Sequence, residues 1–310
     1  MSSDVDGPVF DFHARLAPVP GALERLLDVH DRCGIGAAAV SAGGSIDLLR
    51  LSRQLVHGGH VTTDPDNDAV LRACAGSSGR LLPFYFANPH RDPEHYRQRA
   101  ARFVGLELSP AVHGVRLDDP RTTALTSVAE AAGQPVYVVC LARPGCGVTD
   151  LVALAERFPR VTFVLGHSGI GNIDYYGVDL IAPAANIHLE TSGGYTSVVR
   201  AAIDRLGPHR VLFGSEHPLQ HPDAELAKFR ALDLPAADWR QIAWDNAHRL
   251  LKGNGDDPHH HAPTDAGGLV EPRGTGAASG GPAGRPAGTG GSVAVLRGPV
   301  RGDGRSPGQG

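Results

Sequence analysis

The sequence predicts an α/β protein, a (β/α)8 TIM barrel, over residues 9–252. Three observations predict it. Short apolar strand-like runs alternate with amphipathic helix-like runs eight times. Residues able to do chemistry gather at the C-terminal ends of most of those strands, the face where such barrels build their sites. No G-x-G-x-x-G follows the first strand, which argues against an open dinucleotide-binding sheet.

The elements follow in order. The first strand is VFDFHAR (9–15). Strict alternation puts Asp11, His13 and Arg15 on one face and Phe10, Phe12 and Ala14 on the other. A helix over 21–34 stops at Gly34, and the second strand is IGAAAVSAGG (35–44). The segment 49–67, with His57 and His60 in QLVHGGH, is expected to be a lid-like loop with surface histidines. A helix follows over 66–77. The third strand (80–89) leads into Asn88-Pro89-His90, then a helix over 94–103. The fourth strand (104–110) carries Glu107 and runs on to His113, before a helix over 121–133 that ends at Gly133. The fifth (135–142) reaches Val139 and Cys140, and its helix (148–159) stops at Pro159. The sixth (161–169) ends in Gly166-His167-Ser168-Gly169, before a helix over 173–184. The seventh (186–194) ends in Glu190-Thr191-Ser192 and two glycines that allow close backbone approach, before a helix over 195–207. The eighth (210–218) ends in Gly214-Ser215-Glu216-His217, followed by a helix over 224–232. A last helix over 236–251 closes the domain.

After Lys252 the composition changes to Gly, Pro and Ala. Residues 253–310 are expected to form a disordered tail, because they carry too little apolar surface to offset the entropy of ordering. His259, His260, His261 and the tripeptide Arg301-Gly302-Asp303 fall there and are expected to be solvated.

Composition excludes several classes. A net charge of −4 gives no electrostatic reason to bind nucleic acid. No apolar run approaches the length of a membrane span. The opening MSSDVDGPVF lacks a basic region followed by an apolar one, so no secretory signal is expected. The four cysteines form no C-x-x-C pair, which suits reduced thiols and a cytoplasmic location. Lysine occurs only at 228 and 252, so a carbamylated or Schiff-base lysine has almost no candidates. A small-molecule substrate is the expected partner, with a homodimer as the expected oligomer if the chain self-associates.

With the strands in order, the sequence resembles the amidohydrolase-related (amidohydrolase-2) branch of the amidohydrolase superfamily across residues 8–252. DFHARL resembles the branch's D-x-H-x-H strand, and GQPVYVVC its fifth-strand segment. RFPRVTFVLGHSG, RVLFGSEHP and DNAHRLL resemble its sixth-strand, eighth-strand and closing-helix motifs. The resemblance implies a TIM barrel and a hydrolase or decarboxylase. In metal-dependent members, two first-strand histidines, a fifth-strand histidine and an eighth-strand aspartate hold a divalent ion. Here His13 remains, but Arg15, Val139 and Glu216 stand at the other three positions. His167 matches the residue that serves as base or polarising group beside the metal.

A catalytic zinc takes three protein ligands and an open position. His13 and Glu216 supply two. Arg15 puts a fixed positive charge beside them, and Val139 has no lone pair. The expectation is an altered or absent metal centre, with the alternative of one divalent ion such as zinc held by His13 and Glu216. Arg15, His167 and Glu216 are the catalytic candidates: Arg15 as anion or oxyanion binder, the other two for proton transfer. Arg15, Glu107, Asn88 and His113 are the substrate-binding candidates, with an ion pair to Arg15 as the competing role for Glu107. The expected reaction is hydrolysis of an amide or lactone of a small carboxylated or carbonyl-bearing metabolite. The alternatives are a metal-dependent non-oxidative decarboxylase and a catalytically silent barrel that binds a ligand or partner.

Overall fold

The structure, a computed structural model, describes residues 7–251. The expected tail over 253–310, with its histidines and its Arg-Gly-Asp tripeptide, lies outside the described residues. Eight parallel strands follow one another around a single sheet. They are β1 (Val9–Leu16), β2 (Ile35–Ala42), β3 (Leu81–Phe86), β4 (Gly105–Leu108), β5 (Val136–Val138), β6 (Phe163–Leu165), β7 (Ile187–Glu190) and β8 (Val211–Leu212). Backbone bonds join the ends: Phe12 N–H donates to the Phe213 carbonyl (2.9 Å) and Glu216 N–H to that of His13 (2.8 Å). Every predicted strand is present.

The helices are α1 (Ala22–Cys33), α2 (Leu48–His57), α3 (Asn67–Gly76), α4 (Pro93–Arg97), α5 (Pro110–His113), α6 (Pro120–Ala131), α7 (Val148–Arg157), α8 (Tyr175–Ile181), α9 (Thr196–Leu206), α10 (Pro222–Leu232), α11 (Ala236–Arg240) and α12 (Asn246–Leu251). Local chemistry sets their starts. Asp47, Asp66, Asp92, Asp119 and Asp174 each accept a backbone N–H of the first turn, a cap worth about 1 kcal/mol. The expected loop over 49–67 is therefore in part a correction: its first half is α2. The expected helix over 94–103 ends early at Arg97, and a short 3-10 turn follows at Ala100–Arg102.

Period-two alternation explains the layers. Val136, Val138, Phe163, Leu165, Ile187 and Leu189 face the helices and join the large outer core. Phe84, Tyr137, Val164 and Leu212 point inward and fill the barrel together with Phe10 and Phe12. A π-helical turn at Gln241–Asp245 sets Trp244 edge-on to Phe10, at 6.3 Å between ring centroids.

The first strand departs from simple alternation. Its register against β2 shifts between Asp11 and Ala14. Phe10 and Phe12 lie inside the barrel, whereas Ala14 and Leu16 pack outward with Leu26 and Val70. His13 also lies inside, stacked on Tyr137 at 4.2 Å. Asp11 turns aside to His30 of α1 (3.5 Å) and to Ser215, whose N–H it accepts at 2.8 Å. The expectation that Asp11, His13 and Arg15 share one face is thus corrected. A bulge changes the strand's parity midway.

Candidate active site

The site is built from the far ends of β1, β4, β6, β7 and β8. Arg15 leaves β1 over the Phe86 ring, with its guanidinium carbon 5.4 Å from the centroid. Its Nη2 donates to Glu107 Oε1 at 2.7 Å, and its Nε lies 3.6 Å from Glu216 Oε1. Glu107 is fully buried, and its second oxygen lies 3.4 Å from His13 Nε2. Burial alone would raise the Glu107 pKa, but the charge of Arg15 and the bond from His13 outweigh it and hold the carboxyl well below its usual range. Burial opposes the charge on Arg15 in turn, yet Glu107 and Glu216 keep it a cation.

His167 Nδ1 lies 2.8 Å from Glu216 Oε2 and 2.9 Å from Ser192 Oγ. Since a carboxylate can only accept, Nδ1 carries the proton of the Glu216 bond. Burial pulls the His167 pKa down, but Glu216 more than compensates and leaves it above the ordinary histidine value. Burial would raise Glu216, and the charge of His167, its hydrogen bond and Arg15 lower it instead, to about 2. His167, Ser168 and Glu216 all have left-handed backbones, with φ of 58°, 56° and 55°. Such conformations cost of order 1–3 kcal/mol each for residues with a Cβ and cluster at functional sites.

Glu190 holds this arrangement from below. Its carboxylate accepts from Tyr137 Oη (2.7 Å), His167 N (3.1 Å), Ser192 N (2.5 Å) and Ser192 Oγ (2.9 Å). Gly166 and Gly214 make room. A Cβ on Gly166 would overlap the Tyr137 hydroxyl, and one on Gly214 the Glu190 carboxylate. The sequence places Glu190 at a strand end but assigns it no role. Its four donor groups belong to three residues, Tyr137 and His167 from β5 and the end of β6 and Ser192 from its own strand end, and only the spacing of the two glycines hints at a bulky group between them.

A cavity of about 500 Å³ opens above these residues. Arg15, His167 and Glu216 border it, so the three catalytic candidates meet at its floor. The other candidates do not border it. Glu107 lies beneath Arg15 as its ion-pair partner. Asn88 is turned away and donates to the Thr62 carbonyl (2.9 Å) and to Asp64 Oδ1 (2.8 Å). His113 is buried with its ring against Phe86, and its Nε2 lies 3.3 Å from the Thr63 carbonyl. Burial lowers its pKa to about 4, so it is neutral at pH 7. Asn88 and His113 thus tie the ends of β3 and β4 to Thr62 and Thr63, and neither borders the cavity. Cys140 is buried among the outer core, and burial raises its thiol pKa, so it supplies no thiolate.

The profile of the amidohydrolase family matches residues 48–253, more than half of the chain. A γ-resorcylate decarboxylase of Polaromonas is 29% identical over 144 residues, covering 40% of this chain and 42% of that protein. The chain thus matches well under half the length of that curated relative. Among solved structures, 5-carboxyvanillate decarboxylase from Sphingomonas paucimobilis superposes with a TM-score of 0.60 at 17% identity, covering 79% of this chain and 99% of that one. A dihydroxybenzoic acid decarboxylase from Polaromonas, with bound manganese and 2-nitroresorcinol, superposes with a TM-score of 0.58 at 19% identity, covering 80% and 97%. At such identities the superpositions show the fold.

The manganese of that neighbour prompts a test of the donors present here. His13, His167 and Glu190 bring donor atoms within 4.8 Å of one another. The set differs from the expected pair, with Glu190 in place of Glu216, whose carboxylate pairs with His167. Each of the three donors is engaged: Glu190 accepts four hydrogen bonds, His167 Nδ1 holds Glu216 and Ser192, and His13 Nε2 faces Glu107. His13 Nδ1 is buried without a partner. With the Arg15 cation beside them, these residues do not fit a tightly held divalent ion. Barrel, strand-end motifs and the match over residues 48–253 agree on ancestry, and the chain belongs to the amidohydrolase family.

Proposed function

We propose that this protein is a non-oxidative decarboxylase of a small, ring-bearing carboxylic acid, working without a metal. The sequence favours hydrolysis, with a metal-dependent non-oxidative decarboxylase as an alternative; the decarboxylase relatives support decarboxylation, and the protonation state of the floor supports a metal-free form of it. The observation that carries the reading is the His167–Glu216 pair, 2.8 Å apart at the cavity floor. Its raised histidine pKa makes His167 a ready acid. Glu216, the carboxylate that reaches the cavity, is held to about 2 and is a weak base for activating water. That charge state suits protonation of carbon better than hydrolysis.

In this mechanism Arg15, locked by Glu107, keeps its Nη1 edge for a substrate oxygen and holds the acid over His167. His167 Nε2 gives its proton to the ring carbon that bears the carboxylate. The bond from that carbon to the carboxyl carbon then breaks, its electron pair returns to the ring, and carbon dioxide leaves. Solvent reprotonates the imidazole. Glu216 and Ser192 hold the ring of His167 in place throughout, and the apolar wall above limits access of water.

The test is turnover of hydroxylated aromatic acids in D2O, with carbon dioxide and product followed together. One deuterium at the vacated carbon, and rates unchanged by chelation, are expected. Lactone or amide cleavage without carbon dioxide release would sink the reading, as would activity lost on chelation and restored by manganese.

A further inference from the structure

The cavity is larger and more apolar than a single carboxylated ring requires. Its volume of about 500 Å³ lies in the range of pockets that enclose larger organic ligands. Part of its wall comes from α2. Leu48, Leu51 and Leu55 recur at helical spacing on one face of α2, and all three border the cavity. Ile46 precedes them, and Leu219 faces the cavity from the segment after β8. Leu48, Leu55 and Leu219 are 63%, 47% and 55% exposed. A cluster of leucines uncovered at the mouth of a cavity marks a ligand-binding surface.

The helix is pinned in this position. Gln54, on its other side, is buried and donates to the Ala111 and Val112 carbonyls of α5. Arg143 donates to the Gln54 carbonyl, and Asp47 caps the first turn. The leucines are therefore held over the cavity by fixed hydrogen bonds, with their apolar faces uncovered.

We propose that the substrate carries an apolar extension on its acid-bearing ring, a second ring or an aryl or alkyl substituent, which packs against the Leu48–Leu51–Leu55 face. The proposal rests on the reading of the floor as an acid-binding site. The relatives named above are decarboxylases of resorcylate, carboxyvanillate and dihydroxybenzoate, each a single carboxylated ring; the wall formed by α2 would set this chain apart in substrate size.

The test is calorimetric titration of the full chain with benzoate, 2-naphthoate and biphenyl-4-carboxylate, and with the amide of each ring. Affinity is expected to rise at least tenfold from benzoate to the biphenyl acid, as burial of the added ring predicts. The double variant Leu48→Ser/Leu55→Ser, at exposed positions that leave the fold intact, is expected to abolish most of that gain and leave benzoate unchanged. Equal affinity for short and long acids overturns the proposal, as does a gain that survives in the variant or an absence of binding by the biphenyl acid. A gain shared equally by acids and amides upholds the apolar wall and overturns the reading of the floor.

Discussion

The floor and the outer wall of the cavity are made in opposite ways. The floor comes from strand ends, where Arg15, His167 and Glu216 are fixed by charge and the last two also by left-handed backbone. The wall is an ordinary helix fixed by a capping aspartate and one buried glutamine. Each floor side chain is paired with another, so changing one disturbs several. The wall leucines touch the cavity singly and can change one at a time. On the proposed reading, chemistry falls where coupling is strong and selection of substrate where coupling is weak.

That contrast breaks most sharply at Arg15. Replacing it with Met leaves Glu107 buried without its 2.7 Å partner. A loss of about 3–5 kcal/mol in urea unfolding is expected, with turnover down by roughly 10²–10³. A stable, active Arg15→Met chain would show that the floor is not coupled. His167→Gln comes next: kcat is expected to fall by about 10²–10⁴, and the unfolding midpoint to drop as well, because Glu216 loses its 2.8 Å partner.

Acidity gives a third test. The His167 pKa is raised, so its pair with Glu216 stabilises the fold fully below the ordinary histidine value of about 6.5 and loses that contribution as pH rises through the folded value. Turnover should fall on the same alkaline limb, about tenfold per pH unit. Glu216 is depressed to about 2, so its contribution is present above the usual carboxylate range and disappears only near that pH. A pH–rate profile that falls between 6 and 4 would contradict this assignment. On the wall, Leu55→Ala should shift stability by less than about 0.5 kcal/mol, read by thermal melting. The smallest expected effect is that of metal removal. A chain ending at residue 252, free of the tail histidines, should purify with sub-stoichiometric metal and be indifferent to chelation, checked by elemental analysis.

The eight strands were legible because each keeps period-two alternation or a short apolar run bounded by Gly or Pro. The three floor residues were legible because strand ends carry chemistry in a barrel, and motif order placed His167 and Glu216 there. Four features were not. The α2 helix carries its apolar stripe, Leu48, Leu49, Leu55 and Val56, uncovered rather than against the core, so it lacks the packing partner expected of a barrel helix. Glu190 gains its role from Tyr137, His167 and Ser192, which converge only on folding. Asn88 and His113 follow strands, but their loops turn them from the cavity, and no local signal reports that turn. The change of parity in β1 was equally hidden, because a bulge leaves no residue signature in VFDFHARL.

That bulge acts like a change of reading frame within one strand. Upstream of it, Phe10 and Phe12 belong to the interior plug; downstream, Arg15 belongs to the reactive end. The two stretches can therefore drift separately: the aromatic plug can be recut for packing without rotating the guanidinium. Flattening the bulge at constant length would do the reverse: with Phe10 and Phe12 kept inside, strict alternation would turn Arg15 towards the helices and leave every floor residue in the sequence but not in place.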